Sequence, residues 1–405
     1  MIISVLYIHH SGVFGGASRS LLELVRAFPE GAVKAHLITQ RGKVPGIFRE
    51  CGVEVIETLG ISQFDHTRFG YYRATRYLIL LRELAYVPFT IWSMLKARWQ
   101  WKNIDIVHVN EITNALSILL AKLIFRCPLV VHVRSVQQGE KGGLRKKLVL
   151  WLLKKADAVI AIDSTVRNSL PESQSVHIVH NGFNLRQQPL QAKHYATDEF
   201  SERPMKVLFV GGLVVMKGIL DLVQAAKMCA DAHLNVKFFI VGDTPREEGG
   251  VKSHLLNALG FSHDVKRYCR DYIAEHQLEN LIEFSGFILD IESAYKNADV
   301  LCFPSHLNAV GRPVIEAALL RVPSIVAIRD AAEDTMIHQN TGICIVEENA
   351  QSLFDAVNYY YSNPVEISRM GELAYQLASE NFNISKNSEK VLGIYRDLYE
   401  SQATK

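Results

Sequence analysis

"VLFVGGLVVMKGILDLVQAA", residues 207–226, decides how the chain is organised. The apolar run ending at Val210 reads as a buried strand, Gly211 and Gly212 turn the chain, and Lys217 and Gly218 open a helix. The same design stands near the first residue. "IISVLYIHHSGVFGGASRSLLELV" (2–25) runs as a strand, then Gly15 and Gly16, then a helix from about Ala17. Two such openings, one in each half of the chain, imply two α/β domains that each wind outward from their own first strand.

Working outward, short β-branched runs alternate with amphipathic stretches. Strands are expected at 2–8, 33–39, 53–58, 105–110, 128–134, 158–163 and 176–181, with helices at 17–28, 72–100, 113–125, 143–155 and 164–169. Near-continuous apolar strands of this kind belong to parallel sheets covered on both faces. Residues 185–206, polar with two prolines, read as a linker. A second series follows, with strands in "VLFVGG", "VKFFIVGD", "LIEFSGF", "VLCFPS", "PSIVAI" and "GICIV" and helices at 218–231, 263–277, 290–297 and 313–320. The expected division is an N-terminal Rossmann-like domain 1–190, a linker 191–205, a C-terminal Rossmann-like domain 206–385, and a helix 386–405 packing back on the first domain. In doubly wound folds ligands bind beyond the carboxyl ends of the strands, and with two facing domains the natural site is a central cleft.

Composition narrows the function classes. The 405 residues are 48% apolar and 21% charged, enough for more than one core. The opening "MIISVLYIHH" has no cationic leader or cleavage site and reads as a first strand rather than a signal. Six scattered cysteines, without C-x-x-C or zinc spacing, suggest buried thiols in a reducing compartment and no metal centre. The net charge of +2 hides an asymmetry: residues 1–200 hold 25 Lys/Arg against 15 Asp/Glu, and residues 201–405 hold 19 against 27. A basic half suits nucleic acid, an anionic membrane or a phosphorylated ligand, but no nucleic-acid motif accompanies it.

The loops after the strands carry the chemistry. At Gly15 and Gly16 the backbone could approach an anion at a helix start, or simply turn tightly; a dinucleotide G-x-G-x-x-G is missing. Lys217 could reach a phosphate as a point charge, or be a surface lysine. In "SHLNAVGRPVIEAALLRVP" (305–323), Pro313 suits a first helical turn, and the backbone around Ala309, Val310, Gly311 and Arg312 would meet an anion. Glu316, about one turn inside, could accept from a vicinal diol or merely favour the helix dipole.

Together these stretches resemble glycosyltransferase family 4, the retaining nucleotide-sugar enzymes of the GT-B fold. The resemblance runs through the glycine loop after strand one, "VHNGFN" (179–184), "VGGLVVMKG" (210–218) against V-G-R-L-x-x-x-K-G, "FSGFILDIESAYKNADVLCFPS" (284–305) and "NAVGRPVIEAALLRVP" (308–323) against E-x-F-G-x-x-x-x-E-A followed by G-x-P. It implies that the C-terminal domain holds a nucleoside-diphosphate sugar. Glu316 then matches the ribose carboxylate and Lys217 the diphosphate lysine. Gly211 and Gly212 form the glycine turn, Phe287 and Ile288 flank the nucleobase, and residues 309–312 meet sugar and phosphate. Gly15 and Gly16 would close on the donor from the acceptor-binding first domain. No metal or other cofactor is needed in such enzymes.

Three positions depart from the family pattern. Gly212 stands where the family has arginine, and Arg312 is a candidate replacement at the diphosphate. Arg134 stands where many members place the histidine that contacts the donor sugar, with His132 on the same strand face. Asn308 replaces the first glutamate of E-x7-E, which in many members contacts the sugar. The resemblance implies transfer with front-face attack onto a glycan or lipid-linked hydroxyl in cell-envelope polysaccharide synthesis. An epimerase of the same architecture and a non-catalytic nucleotide-sugar binder are the alternatives. Residues 71–102 carry six Lys/Arg against one acid among aromatics and aliphatics, and with 141–155 suit either an anionic membrane interface or a core helix with a basic outer face. The expected location is the cytoplasm, peripheral at the inner face of the membrane.

Overall fold

The computed structural model describes residues 2–65, 67, 72, 77–137, 143–172, 175–184, 193–243, 265–288 and 290–403, the side chains of 144–146 and 403 excepted. Arg73 and Arg76, residues 141–142, the linker's first residues up to 192, and 263–264 of the expected 263–277 helix lie outside the described residues.

The chain divides into two units, Met1–Asn184 with Phe382–Lys405, and Leu185–Asn381. In the first, strands β1 (Ile3–His9), β2 (Val33–Gln40), β3 (Glu54–Thr58), β4 (Ile106–Val109), β5 (Leu129–Val133), β6 (Ala158–Ala161) and β7 (His177–Ile178) form a parallel sheet ordered β3-β2-β1-β4-β5-β6-β7. Helices α1 (Gly16–Ala27), α2 (Lys43–Glu50), α3 (Leu78–Gln100), α4 (Ala115–Ile124), α5 (Leu144–Leu153) and α6 (Ser164–Asn168) connect them. Side-chain alternation sends Leu129, Val131 and Val133 into one core and Val130 into the other, so both sheet faces are covered. "KVPGIFRE" (43–50), outside every expected element, is helical. Pro45 lies in the first turn, where no intrahelical N–H is needed, and Val44 and Phe48, four residues apart, are both buried.

The second unit holds α7 (Glu199–Glu202) and strands β8 (Met205–Val210), β9 (Val236–Val241), β10 (Ile282–Gly286), β11 (Val300–Phe303), β12 (Ser324–Ala327) and β13 (Gly342–Ile345), ordered β10-β9-β8-β11-β12-β13. Its further helices are α8 (Ile219–Asp231), α9 (Val265–Glu275), α10 (Ile291–Asn297), α11 (Arg312–Ala318), α12 (Ala350–Ser362) and α13 (Pro364–Asn381). Two expected boundaries need correction. Residues 193–203 are not a free linker: Tyr195 and Phe200 enter the second core, and Asp299 ties the segment down through the Tyr195 hydroxyl and a two-bond contact from Arg203. The second unit stops at Asn381, and the last helix, α14 (Ile384–Ala403), puts Val391, Leu392, Ile394 and Tyr395 into the core of the first unit.

Each sheet reverses its strand order beside its first strand, between β1 and β4 and between β8 and β11. The loops leaving such neighbours run to opposite faces, and a crevice opens at the carboxyl ends. Gly15 and Gly16 follow β1, Gly211, Gly212 and Lys217 follow β8, and residues 308–311 follow β11, whereas His132 and Arg134 lie on and just after β5 and Phe287 and Ile288 after β10.

Candidate functional site

In the second unit the loops after β8 and β11 are bonded to each other. A 3-10 turn (Val215–Lys217) follows the glycines, and the Met216 carbonyl accepts from the His306 backbone N–H at 3.1 Å and the Ser305 hydroxyl at 3.3 Å. His306, nearly buried, donates from Nε2 to Asp221 on the first turn of α8 at 2.7 Å. Gly218 closes the junction with φ +71°, and a Cβ there would stand 1.9 Å from the Pro304 carbonyl oxygen.

This junction fixes Lys217. Its ammonium lies 5.3 Å from the centroid of the Phe303 ring, and no carboxylate among the described residues pairs with it. Desolvation accordingly holds its pKa below the ordinary lysine value. Phe303 also lies against Gly311, where a Cβ would come within 2.4 Å of the ring. One aromatic ring therefore spaces the lysine from the start of α11, whose Ncap Gly311 supplies no side-chain cap. A desolvated cation beside uncapped amides is suited to an anion.

Glu316 sits on α11 with its carboxylate held at both oxygens. The Tyr295 hydroxyl donates to Oε2 at 2.9 Å, and Arg312 Nη2 lies 3.5 Å from Oε1. Arg312, expected to replace the missing arginine of the glycine turn, thus turns along its own helix toward Glu316. Asn308 is nearly buried at φ +46°, a backbone region that asparagine tolerates. Its Oδ1 accepts the Arg329 backbone N–H at 2.8 Å, which fixes the amide and leaves the Nδ2 donor and a second Oδ1 lone pair to meet a ligand. Ala309 and Val310 complete the loop, half-buried. At position 212 an added Cβ would meet only the Asp243 carbonyl, at 3.7 Å; nothing in the structure explains the glycine there. Phe287, 77% exposed after β10, offers a free ring face, while Ile288 packs toward Tyr295. Beside Ile288 lies a cavity of about 500 Å³, lined also by Leu208, Phe239 and Ser293.

In the first unit Arg134, at the carboxyl end of β5, is the centre of a polar network. Its Nε donates to Asn110 Oδ1 at 2.8 Å, Nη1 to Asn181 Oδ1 at 2.5 Å and Nη2 to His132 Nδ1 at 3.3 Å. These donations fix the tautomers. His132 Nδ1 must accept, so His108 donates to it from Nε2, and His108 Nδ1 accepts the Tyr395 hydroxyl at 2.5 Å. Asn110 Nδ2 donates to His9 Nδ1, and His9 Nε2 donates to Ser18 on α1, the helix that Gly15 and Gly16 open. Gly15 and Gly16 are exposed, whereas His132 lies deep in the sheet at 3% exposure. Next to the network, the buried Glu111 accepts from Ser135 and from the Ile112 N–H, and burial pushes its pKa up to about 7.

The structure therefore gathers Gly211, Lys217, Asn308, Ala309, Val310, Gly311, Arg312 and Glu316 at one strand-end crevice of the second unit. In the first, His132 and Arg134 belong to one network, and Gly15 and Gly16 open the helix whose Ser18 stands at the network's end. Tyr295, Phe303, His306, Asp221 and Asn181 stand within the quoted stretches but carry no family role there, and Asn110 and Glu111 lie outside every quoted motif.

Residues 14–187 match the family model described as Glycosyltransferase Family 4, and residues 193–377 match Glycosyl transferases group 1. A glycogen synthase of Mycobacterium tuberculosis is 19% identical over 294 residues, 69% of this chain and 65% of that protein. The capsular polysaccharide biosynthesis glycosyltransferase CapM of Staphylococcus aureus is 25% identical over 260 residues, 59% of this chain and 62% of CapM. In both cases the match spans less than two thirds of the relative. Among solved structures, Anabaena HepE in complex with UDP superposes with a TM-score of 0.74 at 18% identity, covering 98% of this chain and 100% of that one. The sucrose-phosphate synthase of Thermosynechococcus elongatus gives 0.72 at 16%, with 98% and 100% covered. These likenesses show the GT-B fold, with its two parallel-sheet α/β domains. With the two family models following one another along nearly the whole sequence, the chain belongs to glycosyltransferase family 4.

Proposed function

We propose that the protein transfers a sugar from a nucleoside-diphosphate sugar to a hydroxyl of a glycan or lipid-linked acceptor, with retention of anomeric configuration, in the synthesis of a cell-envelope polysaccharide. The observation that carries this reading is Lys217, a desolvated lysine with no carboxylate partner among the described residues, spaced by one ring from the Gly311 helix start. Glu316, held in place by Tyr295, then takes the ribose hydroxyls, and Phe287 and Ile288 take the base. The solved HepE structures contain UDP and UDP-glucose, and CapM is named for capsular polysaccharide, which makes a uridine donor the first to test.

In the reaction the acceptor oxygen bonds to the anomeric carbon on the face that the leaving group quits. The bond from that carbon to the phosphate oxygen breaks, and the departing phosphate takes the acceptor proton. Lys217 stabilises the charge that develops on the diphosphate, a task for which fixed cations and amides suffice without a metal. Arg134 reads the transferred sugar, with His132 and Asn110 holding its guanidinium in place. On this reading the protein works in the cytoplasm, peripheral to the inner face of a membrane that carries lipid-linked acceptors.

Calorimetric titration tests the donor class. UDP is expected to bind roughly 100-fold more tightly than uridine, the equivalent of two charge-assisted hydrogen bonds. Equal affinities for UDP, GDP and ADP and their nucleosides would show that the crevice does not read a diphosphate.

A further inference from the structure

α3 is built inside out. Its buried residues include Glu83, Thr90 and Ser93, while Leu78, Leu81, Trp92, Leu95 and Trp99 are 62, 65, 52, 53 and 82% exposed. With Ala85 and Pro88, which are also exposed, these residues recur at alternating spacings of three and four, so they form one apolar stripe along the helix. A soluble helix carries the opposite pattern. The buried polar groups are not stranded: Glu83 Oε2 accepts the Gln63 N–H and Thr90 Oγ1 the Ser62 N–H, both at 2.8 Å. These bonds hold the polar side of α3 against its own domain and turn the stripe outward.

The neighbouring helices extend the surface. α3 packs on α4 and α4 on α5, and they expose Leu123 (73%) and Trp151 (45%). Cations accompany the rings, with Lys96 Nζ 5.0 Å from the Trp92 ring centroid and Lys155 Nζ 5.0 Å from that of Trp151. Arg98, Lys102, Lys147 and Lys154 are exposed as well. On α3 the one acid is Glu83, which is buried.

We propose that α3, flanked by α4 and α5, lays the protein on an anionic lipid bilayer, with Leu and Trp side chains in the acyl boundary and Lys and Arg at the headgroups. The inference rests on the membrane location proposed above and gives it a surface. Charge selects the lipid over a second copy of the chain, because an isologous pairing through this stripe would set two basic faces against each other. By length and composition α3 could also cross a bilayer. Its hydrogen bonds through Glu83 and Thr90 fit a helix lying in the interface, where one side stays on protein.

Sedimentation of the full chain with vesicles tests the proposal, with no nucleotide sugar present, so that its failure leaves sugar transfer to be judged by its own assays. The protein is expected to pellet with phosphatidylcholine vesicles that contain phosphatidylglycerol, to bind pure phosphatidylcholine at least about tenfold more weakly, and to be released by high salt. Trp92→Ser with Trp99→Ser, and separately Lys96→Glu with Arg98→Glu, should each weaken binding about tenfold or more without altering the circular dichroism spectrum. No vesicle binding by the unaltered chain, or binding untouched by both double variants, would overturn the proposal. So would a dimer abolished by the tryptophan substitutions in a chain that ignores vesicles, which would name a second copy as occupant, or retention through high salt and alkali, which would mean insertion.

Discussion

Lys217→Ala is expected to lower kcat/KM for sugar transfer by roughly 10²- to 10³-fold, with the thermal midpoint unchanged or slightly raised. The size follows from removing a fixed charge at the position where negative charge develops on the leaving diphosphate. The absence of a stability cost follows from the lysine's surroundings. No described carboxylate pairs with Lys217, and desolvation already lowers its pKa, so the folded protein bears a cost for keeping it charged. A residue that costs stability and supports turnover has a signature opposite to that of a core residue. Steady-state kinetics and thermal unfolding of the same variant separate the two. Turnover within a few-fold of the parent would remove Lys217 from the site, and a large drop in midpoint would make it structural.

Acidification is expected to destabilise the first unit well before ordinary carboxylate titration would. Burial holds His9 and His132 well below the usual 6.5 and pushes His108 down to about 3, with the nearby Arg134 charge adding to the effect. Below pH 6.5 the unfolded chain takes up protons that these folded histidines refuse, so stability falls as pH falls through this window. Glu111 acts in the opposite sense. Its folded pKa of about 7 exceeds the ordinary 4.5, so the folded state binds the extra proton and gains stability as pH falls from 7 to 4.5. By pH 4.5 His108 withdraws roughly 3 kcal/mol, about what Glu111 returns, so the burial of His9 and His132 decides the balance and the midpoint of thermal unfolding falls. Glu111→Gln removes the returning term, so the variant should be steeper in acid and relatively more stable above pH 7. A midpoint flat from pH 7 to 4.5 would mean that these histidines are not held neutral.

The elements that a sequence reader can place are those whose signal is local. β4 and β11 are buried at every residue, β11 reads as an unbroken apolar run and β4 as one interrupted only by His108, and the glycines at 15–16 and 211–212 mark where each first strand ends. Lys217 and Glu316 are legible for the same reason, because each stands a few residues from a glycine that closes a turn. Of the network around Arg134, the shared strand face of His132 and Arg134 and the return of the last helix are legible, but the contact of His108 with Tyr395 across 287 residues is not. Asn308 misleads in a different way. Its partner is the backbone N–H of Arg329, which any residue at 329 would supply, so nothing in the sequence marks the contact. For α3, the aromatic and basic content was visible, but the burial of its polar side depends on Ser62 and Gln63, which a helical wheel does not contain.

The measurement that bears most directly on the central claim is turnover of UDP-, GDP- and ADP-sugars with and without glycan and lipid-linked acceptors, read by nuclear magnetic resonance of donor and product. Release of the nucleoside diphosphate from one donor, accelerated by acceptor, is expected, with the product linkage in the donor's own anomeric configuration. An inverted linkage would contradict retention, isomerised donor without acceptor would mark an epimerase, and tight binding with no turnover of any donor would mark a binding protein.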